Sequence, residues 1–203
     1  MSEQIASPRK RMAYPERHSQ LLDAARELIR LEGSDTVTLA RIAEQAGVTK
    51  PLVYQHFGTR PAVLAELYQE FKQRTYDTLD ASLHDEGLDL PDVARIIADA
   101  YIDCIDAEST ELPGVGGALS GSAELERLRQ EADEAFSARC RAALSPFSAN
   151  GDISDAALHA ILGAADGIAR AIVLERITFE EGKTALASTV LGVVSSRRSD
   201  NVV

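Results

Sequence analysis

Cysteine is scarce in this chain. Cys104 and Cys140 are its only two, which gives no disulfide framework and no metal-binding cysteine pattern, and fits a reducing cytosol. Metal-ligand spacing is missing among the histidines as well, because His18, His84 and His159 have no partners at a useful interval. No Ser/His/Asp or Cys/His arrangement can be drawn, and the carboxylates are spread along helical surfaces as solvated faces. The composition therefore predicts neither an enzyme nor a bound cofactor. Long apolar runs are also lacking. The N-terminal stretch MSEQIASPRKRMAY has no secretory core, and the most apolar region, Ala156 to Leu174, is interrupted by His159, Asp166 and Arg170. Neither export nor a membrane span is expected, which predicts a cytoplasmic protein. Runs of alternating β-branched residues are absent after residue 75, which argues against a sheet.

Positive charge is in deficit, with a formal net charge of −11 over 203 residues. The deficit is unevenly placed. Residues 1–60 hold nine Lys or Arg against seven Asp or Glu, a net of +2, while residues 61–203 hold twelve against twenty-five, a net of −13. An acidic body with a mildly basic head lowers non-specific affinity for nucleic acid and leaves docking to a few positive groups. Hydrophobic residues make up 45% of the chain and charged residues 26%, ordinary values for a folded protein with one large core or two small ones.

The most informative stretch is Thr38 to Phe57, TLARIAEQAGVTKPLVYQHF. Leu39, Ile42, Ala43 and Ala46 form the apolar stripe of a short helix opened by Thr38 as N-cap. Gly47 supplies the conformation that ends it and turns the chain. Thr49 is placed to cap a second helix with Lys50 and Pro51 in its first turn, and Val53 and Phe57 face inward with Val48. This is the spacing of a DNA-binding helix-turn-helix, whose second helix enters the major groove. Lys50, Pro51, Leu52, Tyr54 and Gln55 then point to solvent. Lys50 and Gln55 have the reach to read base edges, lysine for guanine and glutamine for adenine. Leu52 suits a thymine methyl, or else packs on the edge of the first helix. Thr38 and Thr49 can offer hydroxyl and N–H groups to phosphates.

The flanking segments complete a three-helix unit. Glu16 to Leu31 carries Leu21, Ala25 and Leu28 on one stripe and stops at Gly33, and a fourth helix restarts after Thr59 with Val63, Leu64, Leu67 and Phe71 inward. The series LLDAARELIRLEG, TLARIAEQAGVTKPLVYQHF and GTRPAVLAELY closely resembles the N-terminal domain of the TetR family of bacterial transcriptional regulators, over about the first third of the chain. The resemblance implies that Tyr54 and His56, as the Tyr-x-His pair, and the basic Arg60 contact the phosphate backbone. For His56 a purely structural role is the alternative. The basic tail Pro8-Arg9-Lys10-Arg11 is either a DNA-contacting arm or a solvated end.

The body reads as helical throughout, giving an all-α chain of about nine helices. Residues 14–74 are expected to form the DNA-binding domain and 75–203 a ligand-binding and dimerisation bundle. Asp85 to Leu90 reads as a loop, and Pro91 starts a helix bearing Val93, Ile97 and Ile105. The glycine-rich Leu112 to Ser122 lacks the lysine and preceding strand of a phosphate loop, so it reads as a connection around a short helix. Ser154 is placed to cap a helix reaching about Arg176, followed by one from Phe179 to about Ser195. On the former, Leu158, Ile161, Ile168 and Ile172 form a bulky stripe, and Ala160, Ala164, Gly167 and Ala171 form a second stripe of small residues. Two stripes fit a helix that packs on its own core and closely against another helix, or else one buried within a single subunit.

The resemblance implies that the final two helices form a four-helix bundle in a homodimer bound to a palindromic double-stranded operator. It further implies that a small-molecule effector, unidentified from the sequence, enters the body, moves the fourth helix and releases the DNA. Tyr68, Phe71, Tyr101, Cys104 and Phe136 are the pocket candidates, as aromatic or soft residues on inward stripes that could equally be plain core. The competing readings are a ligand-independent architectural DNA binder and a ligand carrier with a vestigial helix-turn-helix.

Overall fold

Helices account for the ordered elements of the computed structural model, which describes residues 12–119, 123–148 and 151–199. The basic tail Pro8-Arg9-Lys10-Arg11 and residues 120–122 of the glycine-rich segment lie outside these residues. Nine α-helices and no strand occur among the described residues. They are α1 (Tyr14–Glu32), α2 (Leu39–Gln45), α3 (Lys50–Phe57), α4 (Arg60–Leu83), α5 (Leu90–Glu111), α6 (Val115–Leu119), α7 (Ala123–Leu144), α8 (Asp155–Val173) and α9 (Phe179–Ser199).

Local chemistry sets the boundaries. Thr38, Thr59 and Ser154 each accept a hydrogen bond from a first-turn backbone N–H, closing a donor the helix itself cannot satisfy. Asp89 does the same for α5, and Asp92 reaches back to its backbone in a capping box, so this helix starts at Leu90, inside the segment read from sequence as a loop. Prolines 15, 51, 61 and 91 all fall in first turns, where the missing N–H costs little. Two further differences from the sequence reading are a 3-10 turn at Ser34–Thr36 and an α8 that ends at Val173, short of Arg176.

The interior divides into three apolar clusters. The first joins Leu21, Ala25, Leu28 and Ile29 of α1 to Ile42, Val53, Phe57, Leu64 and Leu67, and continues into Leu112, Val115 and Leu125. The head is therefore not a sealed unit: its core crosses residue 75 and includes side chains from α5 to α7. The second cluster packs Val93 and Ile97 against Cys140, Leu144, Leu158, Ile161, Val190 and Val194. The third holds Ile102, Ala165, Ile172 and Leu186. Gly182 lets α9 approach α8 closely, since a Cβ there would lie 2.6 Å from Ile172 Cδ1. Helix α4 touches α1 and α3 on one hand and α5, α6 and α7 on the other, so it joins the head to the body.

Candidate nucleic-acid interface and body cavity

The helix-turn-helix is built as its sequence requires. Ile42, Ala43 and Val53 are fully buried, and Phe57 is nearly so. Gly47, at φ 65°, makes the turn, and Val48 N–H donates back to Ala43 carbonyl at 2.9 Å. Lys50, Pro51, Tyr54 and Gln55 are exposed on the opposite face of α3, and Tyr54 retains 56% of its accessible surface. Thr38 and Thr49 stand exposed at the starts of α2 and α3. Thr49 makes no capping bond with its side chain, so its hydroxyl is open to solvent, unlike the hydroxyl of Thr38, which binds Arg41 N–H.

His56 lies between the two roles the sequence allowed it. It is half-buried, with Tyr14 stacked on its ring at 4.1 Å between centroids and an angle of 16°. His56 Nδ1 is 3.1 Å from His18 Nδ1, and His18 Nε2 is 2.5 Å from Glu66 Oε2. Burial, followed by the nearby His18 and Arg17, lowers the His56 pKa against the pull of Glu66. A surface recess beside it is lined by Met12, Tyr14, Arg17, Leu52, Gln55 and His56. Leu52 thus sits half-buried at the recess rather than fully projecting. Arg17, Tyr14 and His18 were not singled out from the sequence. Their signal was a polar continuation, at positions 14, 17 and 18, of the α1 stripe that begins at Leu21.

Arg60 is turned inward. Its Nε donates to the Val37 carbonyl and its Nη2 to the Ser34 carbonyl, both at 2.9 Å. Two backbone acceptors of the loop before α2 are thereby tied to the start of α4. Ser34 N–H in turn donates to the Pro113 carbonyl at 3.2 Å, linking the same loop to the body.

Behind α4 the body encloses a cavity of about 320 Å³. Tyr68, Lys72 and Tyr76 form its α4 wall, with Tyr101 and Cys104 from α5 and Phe136 from α7 opposite. Of the pocket candidates, Tyr68, Tyr101, Cys104 and Phe136 line this cavity, whereas Phe71 packs in the first core cluster. Lys72, its neighbour, is the residue that sequence reading missed. Lys72 Nζ lies 3.3 Å from Cys104 Sγ and 3.6 Å from Glu108 Oε2. Burial opposes its charge, but Cys104, Tyr68 and Glu108 outweigh that, and the ammonium is held above its ordinary pKa. Tyr101 donates to Asp166 Oδ1 at 2.7 Å, and its ring meets Phe136 at 5.4 Å between centroids. Burial, then this bond, raises the Tyr101 pKa, while burial, helped by Glu108 and Asp133 against the pull of Lys72, pushes Tyr68 up to about 12. Asp133, also at the cavity, is raised by burial against the pull of Arg129. The result is an aromatic chamber with the Lys72 ammonium, the Arg129 guanidinium, neutral phenols and carboxylates, suited to a small molecule with an apolar body and a polar group.

Helix α8 separates its two stripes. Leu158, Ile161 and Ile172 are buried, whereas Ala160 and Gly167 are exposed and Ala164 and Ala171 half-exposed. By length and composition α8 is apolar enough to cross a membrane, and only 28% of it is buried in the subunit. A Cβ added at Gly167 would meet nothing within 4 Å.

Comparison with known proteins agrees with this architecture. The family model for bacterial regulatory proteins of the tetR family matches residues 21–67. The nucleoid occlusion factor SlmA of Aliivibrio fischeri is 26% identical over 136 residues, covering 65% of this chain and 65% of that protein. The HTH-type transcriptional activator FasR of Mycolicibacterium smegmatis is 33% identical over 102 residues, covering 49% of this chain and 45% of FasR. Both matches span less than two thirds of those relatives' lengths. A tetR-family transcriptional regulator from Streptomyces coelicolor shares the fold with a TM-score of 0.69 at 19% identity, over 94% of this chain and 85% of its own. The helix-turn-helix head, residues 21–67, thus matches the tetR family of bacterial regulatory proteins, and the helical body that carries it shares the fold of tetR-family regulators.

Proposed function

We propose that this protein is a cytoplasmic, homodimeric repressor that binds a palindromic operator and is released by a small-molecule effector. Residues 14–74 act as the reading head and 75–203 as the sensing and dimerisation body. The observation that carries the reading is the cavity of about 320 Å³ walled by α4, the helix that also contacts α1 and α3. A ligand that fits the chamber only when α4 is shifted changes the separation of the two recognition helices, and a ligand with equal affinity for both states changes nothing. Two-fold symmetry demands half-sites about one DNA turn apart, roughly 34–36 Å.

Within the head, Lys50 and Gln55 read bases, Pro51 and Leu52 shape the apolar contact, and Thr38, Thr49, Tyr54 and His56 meet phosphates. Arg17 adds a cation beside His56. Replacing Lys50 by alanine should relax preference at particular bases by about 1–3 kcal/mol, whereas replacing His56 should weaken binding to every sequence. Equal loss by Lys50→Ala on the selected site and on scrambled DNA would remove lysine from base readout. The function itself is tested by selecting sites from random duplex DNA, footprinting the winner, and screening metabolites for thermal stabilisation. A stabilising compound is expected to lower affinity for the selected site.

A second reading has support from the relative named nucleoid occlusion factor: a DNA binder that acts on the nucleoid without an effector. In that case no compound filling the cavity alters DNA affinity. The sign of regulation is checked by expression from a promoter carrying the selected site, since the relative FasR is named an activator.

A further inference from the structure

His18 lies outside the helix-turn-helix, yet it touches α3 and α4 at once. A carboxylate only accepts hydrogen bonds, so the 2.5 Å approach of His18 Nε2 to Glu66 Oε2 places a proton on that nitrogen. The two Nδ1 atoms, 3.1 Å apart, then share one further proton between them. With the pair neutral, His18 has its only proton on Nε2 and its Nδ1 accepts from His56 Nδ1–H. Neutral His56 is left with a bare Nε2, which repels a phosphate oxygen. One added proton reverses this. Whichever ring the charge is assigned to, each Nε2 then carries a hydrogen and one hydrogen remains between the Nδ1 atoms. His56 Nε2–H becomes a donor, and Glu66 balances the charge. A second added proton would put hydrogens on both Nδ1 atoms and break the contact.

We propose that His18, His56 and Glu66 form a relay through which DNA binding takes up one proton per subunit, with His18 and Glu66 as positioning residues for a His56–phosphate contact. The proposal rests on the reading above that His56 faces the DNA backbone. Among the described residues no partner meets His56 Nε2, and the recess beside it offers Arg17, Gln55 and the Tyr14 ring to an anion. The charged groups facing His56 are His18 and Arg17 from α1 and Glu66 from α4. Burial and the two α1 groups lower its proton affinity in the free protein, and an arriving phosphate raises it again. The proton is thus bound more tightly in the complex. Affinity gained from it is present at low pH and lost as pH rises through the pair's transition.

The test measures affinity of the full-length protein for a fluorescein-labelled random-sequence duplex at fixed ionic strength across about pH 5–8, where imidazoles titrate. Affinity should fall with rising pH, approaching about tenfold per pH unit for each engaged subunit. Glu66→Gln should move the midpoint down by about one unit without changing affinity above it, because the balancing charge is gone. His56→Gln should bind weakly at all pH, at the level the wild type reaches above its transition. Nitrogen-15 spectra of the wild type should show His56 Nε2 bare above the transition and protonated below it. A wild-type affinity flat with pH, an unprotonated Nε2 throughout, or a Glu66→Gln loss equal at every pH overturns the relay while leaving the DNA reading standing. If His56→Gln binds like wild type at every pH, the failure lies instead in the placement of His56 on DNA.

Discussion

Replacing Gly167 by leucine is expected to abolish self-association while leaving the isolated subunit as stable as before, or more so. Gly167 lies in the middle of α8, exposed, and a Cβ there meets nothing within 4 Å. Leucine at an exposed helix interior improves on glycine by up to about 1 kcal/mol, so the monomer has no reason to suffer. The cost arises only if another helix packs on the stripe of Ala160, Ala164, Gly167 and Ala171. Overpacking such a contact costs about 1–3 kcal/mol, and a two-fold axis doubles it to about 2–6 kcal/mol. The dimer dissociation constant should then rise from about 30-fold to more than 10⁴-fold. Operator affinity should fall with it, although residues 38–57 are untouched, because one subunit holds only one half-site. Sedimentation and thermal unfolding check the two halves of the claim. A Gly167→Leu protein that remains dimeric with unchanged DNA affinity would move the interface to another face.

Periodicity revealed the stripes because each is a property of one helix. Leu21, Ala25 and Leu28 are buried as their spacing requires, and on α8 Leu158, Ile161 and Ile172 are buried while Ile168, Ala164 and Ala171 are half-buried and Ala160 and Gly167 exposed. The caps at Thr38, Thr59 and Ser154 were readable for the same reason, being decided within one turn. What the sequence concealed depends on several helices meeting. His18, His56 and Glu66 come from three helices, separated by 38 and 48 residues along the chain. Lys72 was hidden differently. The α4 stripe runs through Phe71, but α4 meets the head core with one side and the body cavity with the next, and this rotation is set by both contacts together. A charged residue adjacent to an apolar stripe ordinarily faces water, and only the cavity walls from α5 and α7 turn Lys72 into an interior group.

The same multi-helix dependence governs how the head could feel the body. Besides the shared core and the contact of α1 with α5, two structural routes join them: the length of α4, and the loop at residues 34–37, which is held by Pro113 on one side and Arg60 on the other. Gly116, just beyond Pro113, lines the cavity. A body movement therefore reaches both the start of α4 and the loop that precedes α2.

Arg60→Ala should accordingly act as a loss of stability before it acts as a loss of DNA contact. Each hydrogen bond from a charged donor contributes about 1.5–3 kcal/mol, and with the Arg60 side chain 34% exposed, water takes over part of the two it makes. A net loss of about 2–3 kcal/mol is expected, equivalent to about 4–12 °C in melting temperature for a chain of this size. Asp35, at 3.9 Å from Arg60 and fully exposed, adds little. DNA affinity should fall equally for all sequences because the α2 loop is no longer pinned, with the salt dependence of binding nearly unchanged. A direct phosphate contact predicts the reverse: normal melting, and a salt slope reduced by about one unit for each subunit. Arg60→Lys separates the two further. A single ammonium keeps the charge that a phosphate needs but cannot reproduce the planar fork that spans the Val37 and Ser34 carbonyls. The lysine variant should therefore melt nearly as low as the alanine variant. If it melts like wild type, or if Arg60→Ala flattens the salt dependence without lowering the melting temperature, Arg60 acts on the DNA backbone and not on the loop.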